Sequence, residues 1–209
     1  MEIHQFLLFA TAVFLLNITP GNDFIFVATR SVSYGKKAGI ISGLGISLGL
    51  LVHIIASVLG LSVILAESAL AFNIIKYIGA AYLIYLGIKT LWDRSNQFDK
   101  ITGDEAPSTS KLLRQGFITN VFNPKVALFF LSFLPQFVNP SSGSISLQLL
   151  TLGLWFILSG TIVSILIALI FSLMKNVLDR FPSFWKWQKK ITGVVLIGLG
   201  LKIALTERK

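Results

Sequence analysis

Apolar residues dominate this chain in six long runs, at roughly residues 5–29, 38–66, 68–92, 114–138, 145–174 and 187–206. Each reaches the ~20 residues that a helix needs to cross the hydrocarbon of a bilayer. Backbone groups in lipid must be satisfied internally, so without a closed barrel only helices serve. The pattern therefore predicts an all-α integral membrane protein of six transmembrane helices. The second and fifth runs are long enough that they are expected to tilt or protrude.

Two of the runs are interrupted. The first contains "NITPGND", Asn17 to Asp23, and the fourth contains Asn123-Pro124-Lys125 with Asn120 one turn earlier. Pro20 lies ten residues before Arg30 at one end of the first run, and Pro124 lies ten residues after Arg114 at one end of the fourth. At ~1.5 Å per residue both interruptions fall ~15 Å into the bilayer, near the midplane. A surface loop is impossible there. These stretches are read as helix breaks held inside the protein, where proline removes a backbone donor and freed groups find partners or line a wet cavity.

Composition agrees. The chain has 209 residues, of which 54% are hydrophobic and 13% charged, against about 25% charged in soluble domains. Its mean hydropathy is +0.79. There is no cysteine, and His4 and His53 are the only histidines, so neither a metal nor a cofactor is expected. The net charge of +9 is not arranged as a basic patch interleaved with aromatics, which argues against nucleic acid.

The basic residues orient the helices instead. Arg30, Lys36 and Lys37 lie in the first connection, Arg94, Lys100 and Lys111 in the third, and Lys175, Arg180, Lys186, Lys189 and Lys190 in the fifth. The second holds Glu67 and Lys76, and the fourth, 139–144, has no basic residue. The odd connections are thus predicted to be cytoplasmic. Both termini then face outward, although Arg208 and Lys209 run against this. Trp92, Trp185 and Trp187 fall at the predicted cytoplasmic interface. No Lys or Arg precedes Arg30, so the first segment is expected to be a retained helix and not a cleaved signal.

The polar stretch 95–112 reads as a cytoplasmic linker between two three-helix units, 1–94 and 113–209. The units look related: "KYIGAAYLIYLGIKTL" (Lys76 to Leu91) and "KKITGVVLIGLGLKIA" (Lys189 to Ala204) match at an offset of 113 at Lys76/Lys189, Gly87/Gly200 and Lys89/Lys202, among others. Three spans per unit means that the units enter the membrane from opposite sides, the inverted-repeat plan of many secondary transporters.

In that plan the two breaks start half-helices whose positive N-termini converge. Lys125 adds a cation and Asp23 an anion, and Asn17, Thr19, Asn22, Asn120 and Asn123 add neutral hydrogen-bonding groups around Pro20, Gly21 and Pro124. A small zwitterion suits such a place: its carboxylate would meet N–H groups and Lys125, and its ammonium Asp23. Charges in a membrane helix are expensive and usually functional, although a structural Asp23–Lys125 pair is the plainer reading. His53 and Trp155 are further candidates for the pathway, against ordinary roles in interhelical hydrogen bonding and packing. Gly39, Gly43, Gly45 and Gly49 form Gly-x-x-x-Gly pairs suited to close packing within the subunit or across a homodimer.

Thr19-Pro20-Gly21-Asn22-Asp23 resembles the Thr-Pro-Gly-Pro-Asp signature of the lysine-exporter superfamily, and within it the threonine/homoserine exporter branch. Asn123-Pro124-Lys125 resembles the same family's Asn-Pro-Lys in span four. The chain departs at Asn22, where the family usually has a second proline. The resemblance implies ion-gradient-driven export of amino acids, neutral ones in preference to lysine, across a bacterial inner membrane. The alternatives are an intramembrane enzyme, for which two distant histidines and one buried acid are poor equipment, and a membrane-assembly or scaffold subunit, which needs no charges at matched depth. No phosphate-binding Gly-x4-Gly-Lys-Ser/Thr loop is present.

Overall fold

The computed structural model describes residues 3–19, 21–63, 69–92, 106–173 and 182–205, which are helical almost throughout and contain no strand. Helix α1, Ile3–Ile18, stops at a break spanning Thr19 and Gly21. The chain resumes as α2, Asn22–Ala56, and continues through a π-helical turn, Ser57–Leu61.

Helix α2 is not one rod. Gly35 has φ 81° and ψ 175°, a conformation open to glycine because it lacks a Cβ. A Cβ on Gly39 would collide with the Ser31 side chain, which in a continuous helix would lie ~12 Å away along the axis. The chain has therefore doubled back, and the arms 22–34 and 36–61 pack as a hairpin with Arg30, Lys36 and Lys37 around its bend.

Helix α3 is Ala69–Trp92. Helix α4, Thr109–Val121, begins where the Ser108 hydroxyl accepts from the Lys111 N–H at 3.4 Å. Helix α5, Pro124–Leu128, runs on through a π turn, Phe129–Phe133, and a 3-10 turn, Leu134–Phe137. The direction changes by 46° between Thr109–Val121 and Pro124–Phe137. Helices α6, Ile145–Leu173, and α7, Pro182–Leu205, complete the described chain. Residues 95–105 of the expected linker lie outside the described residues, as do 174–181 and both extreme termini.

Among the described residues, Asn22–Leu61, which contains the reversal at Gly35, Asn73–Trp92 and Ile145–Leu173 are long and apolar enough to cross a bilayer by length and composition alone, and the bent pair makes a fourth. The apolar part of α1 and Gly193–Leu205 within α7 are shorter. Large apolar side chains point outward on every side: Phe14, Leu59, Ile78, Leu158, Leu166 and Leu173 are all exposed. Soluble monomers rarely show such continuous apolar surface. This is a multi-pass, all-helical membrane protein.

Two separate apolar clusters fill the interior. The larger contains Phe9, Val13, Leu16, Leu50, Phe129, Phe133 and Phe156, with the Phe129 ring centroid 4.9 Å from that of Phe133 and 5.1 Å from that of Phe156. The smaller contains Val27, Ala28, Ile46, Val163, Ile167 and Phe171. Glycines set the closest helix approaches. Gly39, Gly43, Gly45 and Gly49 all meet atoms of this same chain, on Ser31, Ser164, Leu113 and Asn120 respectively. Where α3 packs on α7, a Cβ on Gly87 would meet Ile197 Cγ1, the Gly193 carbonyl and the Ile197 nitrogen. A Cβ on Gly200 would meet Ile84 Cγ1, the Ala80 carbonyl and the Ile84 nitrogen. These are one contact written twice, each residue displaced by the 113 of the sequence offset.

Candidate functional site

The break between α4 and α5 is closed by its own residues. Asn123 Oδ1 accepts from the Lys125 N–H at 3.1 Å, and the Asn123 carbonyl accepts from Val126 and Ala127 at 3.1 Å each. Pro124 occupies the first helical position, where its missing N–H is not needed. The same missing N–H leaves the Asn120 carbonyl, four residues back, without its usual intrahelical donor. That carbonyl instead accepts from the Asn123 N–H at 2.9 Å and from His53 Nε2 at 3.0 Å.

The break after α1 is closed from elsewhere. Gly21 caps α2 in an extended conformation and contributes no side-chain acceptor to the first-turn N–H groups. The Thr19 hydroxyl folds back onto the Leu15 carbonyl. The Leu16 and Thr19 carbonyls, at the negative end of α1, accept from Lys125 Nζ at 2.8 and 2.7 Å. Two of the three ammonium protons are thus engaged on α1.

Asp23 sits on the first turn of α2. Its Oδ2 accepts from Asn120 Nδ2 at 2.8 Å, while its buried Oδ1 has no partner, and neither has Asn120 Oδ1. Asp23 and Lys125 lie within electrostatic reach of one another, yet among the described residues each is held by neutral groups and no direct ion pair joins them. Across from them, Asn17 Nδ2 donates to Ser159 Oγ of α6 at 3.2 Å.

These groups surround a cavity of about 40 Å³, room for roughly two or three waters. Asn17, Thr19, Gly21, Asp23, Asn123 and Lys125 form its polar wall. Leu16, Leu50, Val126 and Phe156 come to it from the larger apolar cluster, and Ile46 and Ile167 from the smaller. The cavity lies where the two clusters meet.

Most of the residues singled out in the sequence thus converge, in two layers. Asn120 stands behind the wall, holding Asp23, and His53 stands behind Asn120, stacked on the Phe130 ring at 5.8 Å. Pro124 shapes the backbone. Asn22 is exposed and away from the cavity, because one step along a helix from Asp23 turns a side chain by ~100°. Trp155 is partly exposed and packs edge-on against Phe6 of α1 at 5.1 Å, also away from the cavity. Pro20 lies outside the described residues. The contribution of α6, through Phe156, Gly160 and Ser164, was missed in the sequence. Its one signal is the run of small and polar residues at Ser159, Gly160, Thr161 and Ser164 inside an otherwise apolar helix.

The model of the LysE type translocator family matches residues 14–207. An uncharacterized membrane protein, YrhP, of Bacillus subtilis (strain 168) is 33% identical, covering 98% of this chain and all of that one. A homoserine/homoserine lactone efflux protein of Salmonella typhimurium (strain LT2) is 34% identical over 71% of each chain. A leucine efflux protein of Klebsiella pneumoniae is 28% identical over 94% of this chain and 92% of that one. No solved structure matches. With the matched region running through both helix breaks and every helix around the cavity, the chain belongs to the LysE-type translocator family.

Proposed function

We propose that this protein is a secondary exporter of small neutral amino acids, coupled to the proton gradient of a bacterial inner membrane, and that the cavity at the two helix breaks is its substrate site. The observation that carries this reading is Asp23, a cavity-wall carboxylate with one oxygen fixed by Asn120 and the other buried without a partner. An ammonium group satisfies that oxygen. The substrate carboxylate turns toward the uncapped first turn of α2 and the third proton of Lys125. Homoserine and leucine, two of the compounds in the relatives' names, share a neutral side chain and the same zwitterionic backbone, and the wall mixes polar and apolar groups.

The same oxygen accounts for coupling. It accepts an ammonium or a proton but not both, so loading one expels the other and export exchanges substrate for protons. Alternating access follows from the two apolar clusters, which close the cavity on either side and separate in turn. An amino acid is larger than the present cavity, so loading parts one cluster. Six spans in two inverted repeats supply two equivalent gates, and the mirrored Gly87 and Gly200 contacts support that symmetry. Both termini then lie outside and 95–112 in the cytoplasm, which a tag in each place reports by its accessibility.

Proteoliposomes loaded with a labelled amino-acid mixture test the reading. Wild-type protein releases neutral amino acids faster when an opposing proton gradient is applied. Asp23→Asn, which retains a neutral oxygen toward Asn120, keeps its membrane abundance and loses release by about tenfold or more, the worth of one charge-assisted contact. Undiminished release by Asp23→Asn overturns the site.

A further inference from the structure

Glycine inside a helix is destabilising relative to alanine, so each one invites a reason. At Gly45, Gly49, Gly87, Gly116, Gly193 and Gly200 the reason is steric: a Cβ would come within 3.0 Å of another helix's backbone. Gly60 and Gly198 have nothing within 4 Å and face outward. Gly160 fits neither group. It stands in mid-α6, faces the interior, and the nearest atoms to a Cβ there would be those of the Asn17 side chain at 3.6–3.8 Å, an ordinary contact. Packing does not require a glycine at this position. The cavity does: Gly160 lines it, one turn from Phe156 and one turn from Ser164, which line it too.

We infer that Gly160 determines substrate size. This rests on the transport reading above. With the charged ends of the substrate held at Asp23 and at Lys125 with the first turn of α2, its side chain extends toward the α6 stripe of Phe156, Gly160 and Ser164. The missing Cβ of Gly160 is the room that stripe offers. A methyl group there takes space from the substrate without displacing a neighbour, because its nearest contact, Asn17, lies at ordinary van der Waals distance.

The test is competitive release from proteoliposomes loaded with alanine, threonine and leucine together. The readout is the rate for the largest amino acid that wild-type protein releases, divided by the rate for the smallest. This ratio is internal to each preparation and independent of abundance. Gly160→Ala lowers it by about tenfold, the discrimination that one methylene produces in a close pocket, and Gly160→Val lowers it further. Gly60→Ala, the outward-facing control, leaves it unchanged. An unchanged ratio in both Gly160 variants, with wild-type release intact, overturns the inference and spares the transport reading. Absence of release by wild-type protein defeats the transport reading itself, and this inference with it.

Discussion

The two helix breaks look alike in the sequence and are built on different principles. The break at Asn123 is self-sufficient: one side chain caps the following turn, proline needs no donor, and the Asn123 carbonyl takes the next two N–H groups. The break at Thr19–Gly21 is dependent. Its new helix has no side-chain cap, and the carbonyls that end α1 are satisfied by an ammonium from the other break. A cation on one broken helix thus completes the terminus of the other. The difference teaches that the two half-helices are one structural unit, and that Lys125, expected to meet the substrate carboxylate, first serves as the C-terminal cap of α1.

Lys125→Met puts most strain on this comparison. It removes the donor of the Thr19 carbonyl and leaves the Leu16 carbonyl with the Thr19 N–H at 3.2 Å, in a place where hydrogen bonds to a charged group contribute about 1.5–3 kcal/mol each. Membrane abundance and the detergent melting temperature both fall steeply, while the break at Asn123 stays intact. Wild-type melting would mean that α1 ends without help. The double variant Asp23→Asn/Lys125→Met sharpens the point. If the charges formed a direct pair, removing both would rescue the loss caused by removing one. Because each is held by neutral groups instead, abundance stays as low as in Lys125→Met alone.

Pro124→Ala has an intermediate effect, on activity more than on stability. Alanine restores an N–H that competes with His53 for the Asn120 carbonyl, so the helix is free to run on and Asn120 loosens its hold on Asp23. Protein remains in the membrane and release drops; normal release would separate the break from function. Asn123→Ala removes one cap and costs about 1 kcal/mol, read as a small fall in melting temperature, far less than for Lys125→Met. Gly21→Ala has the smallest effect. The extended backbone accepts any residue, and the new Cβ meets Lys125 Cδ and Nζ at 3.4 and 3.5 Å, so abundance stays at the wild-type level.

Much of the architecture was legible because lipid imposes simple rules. Long apolar runs have to be helices, and polar residues inside them have to be covered, so the runs fall on helices and both breaks appear where Asn, Pro and Gly interrupt them. The boundaries moved for local reasons: Ser108 starts α4 five residues ahead of the apolar run at 114, and Gly35 turns the chain between the first two runs. Asn22 and Trp155 were grouped with the site on proximity in sequence and depth in the membrane. Neither property specifies which way a side chain points around a helix, and both face away from the cavity.

The sequence by itself determined that this chain is a helical membrane protein with two interrupted helices, a buried acid and a buried base, because each of those follows from local composition and from the scarcity of water in the bilayer. Only the tertiary structure decided who holds whom. That Lys125 caps α1, that Asn120 is shared between Asp23 and His53, and that a glycine of α6 leaves space at the cavity all depend on residues about 70 to 140 positions apart. Helix packing alone brings such residues together, and no local pattern encodes the rotation of one helix against another.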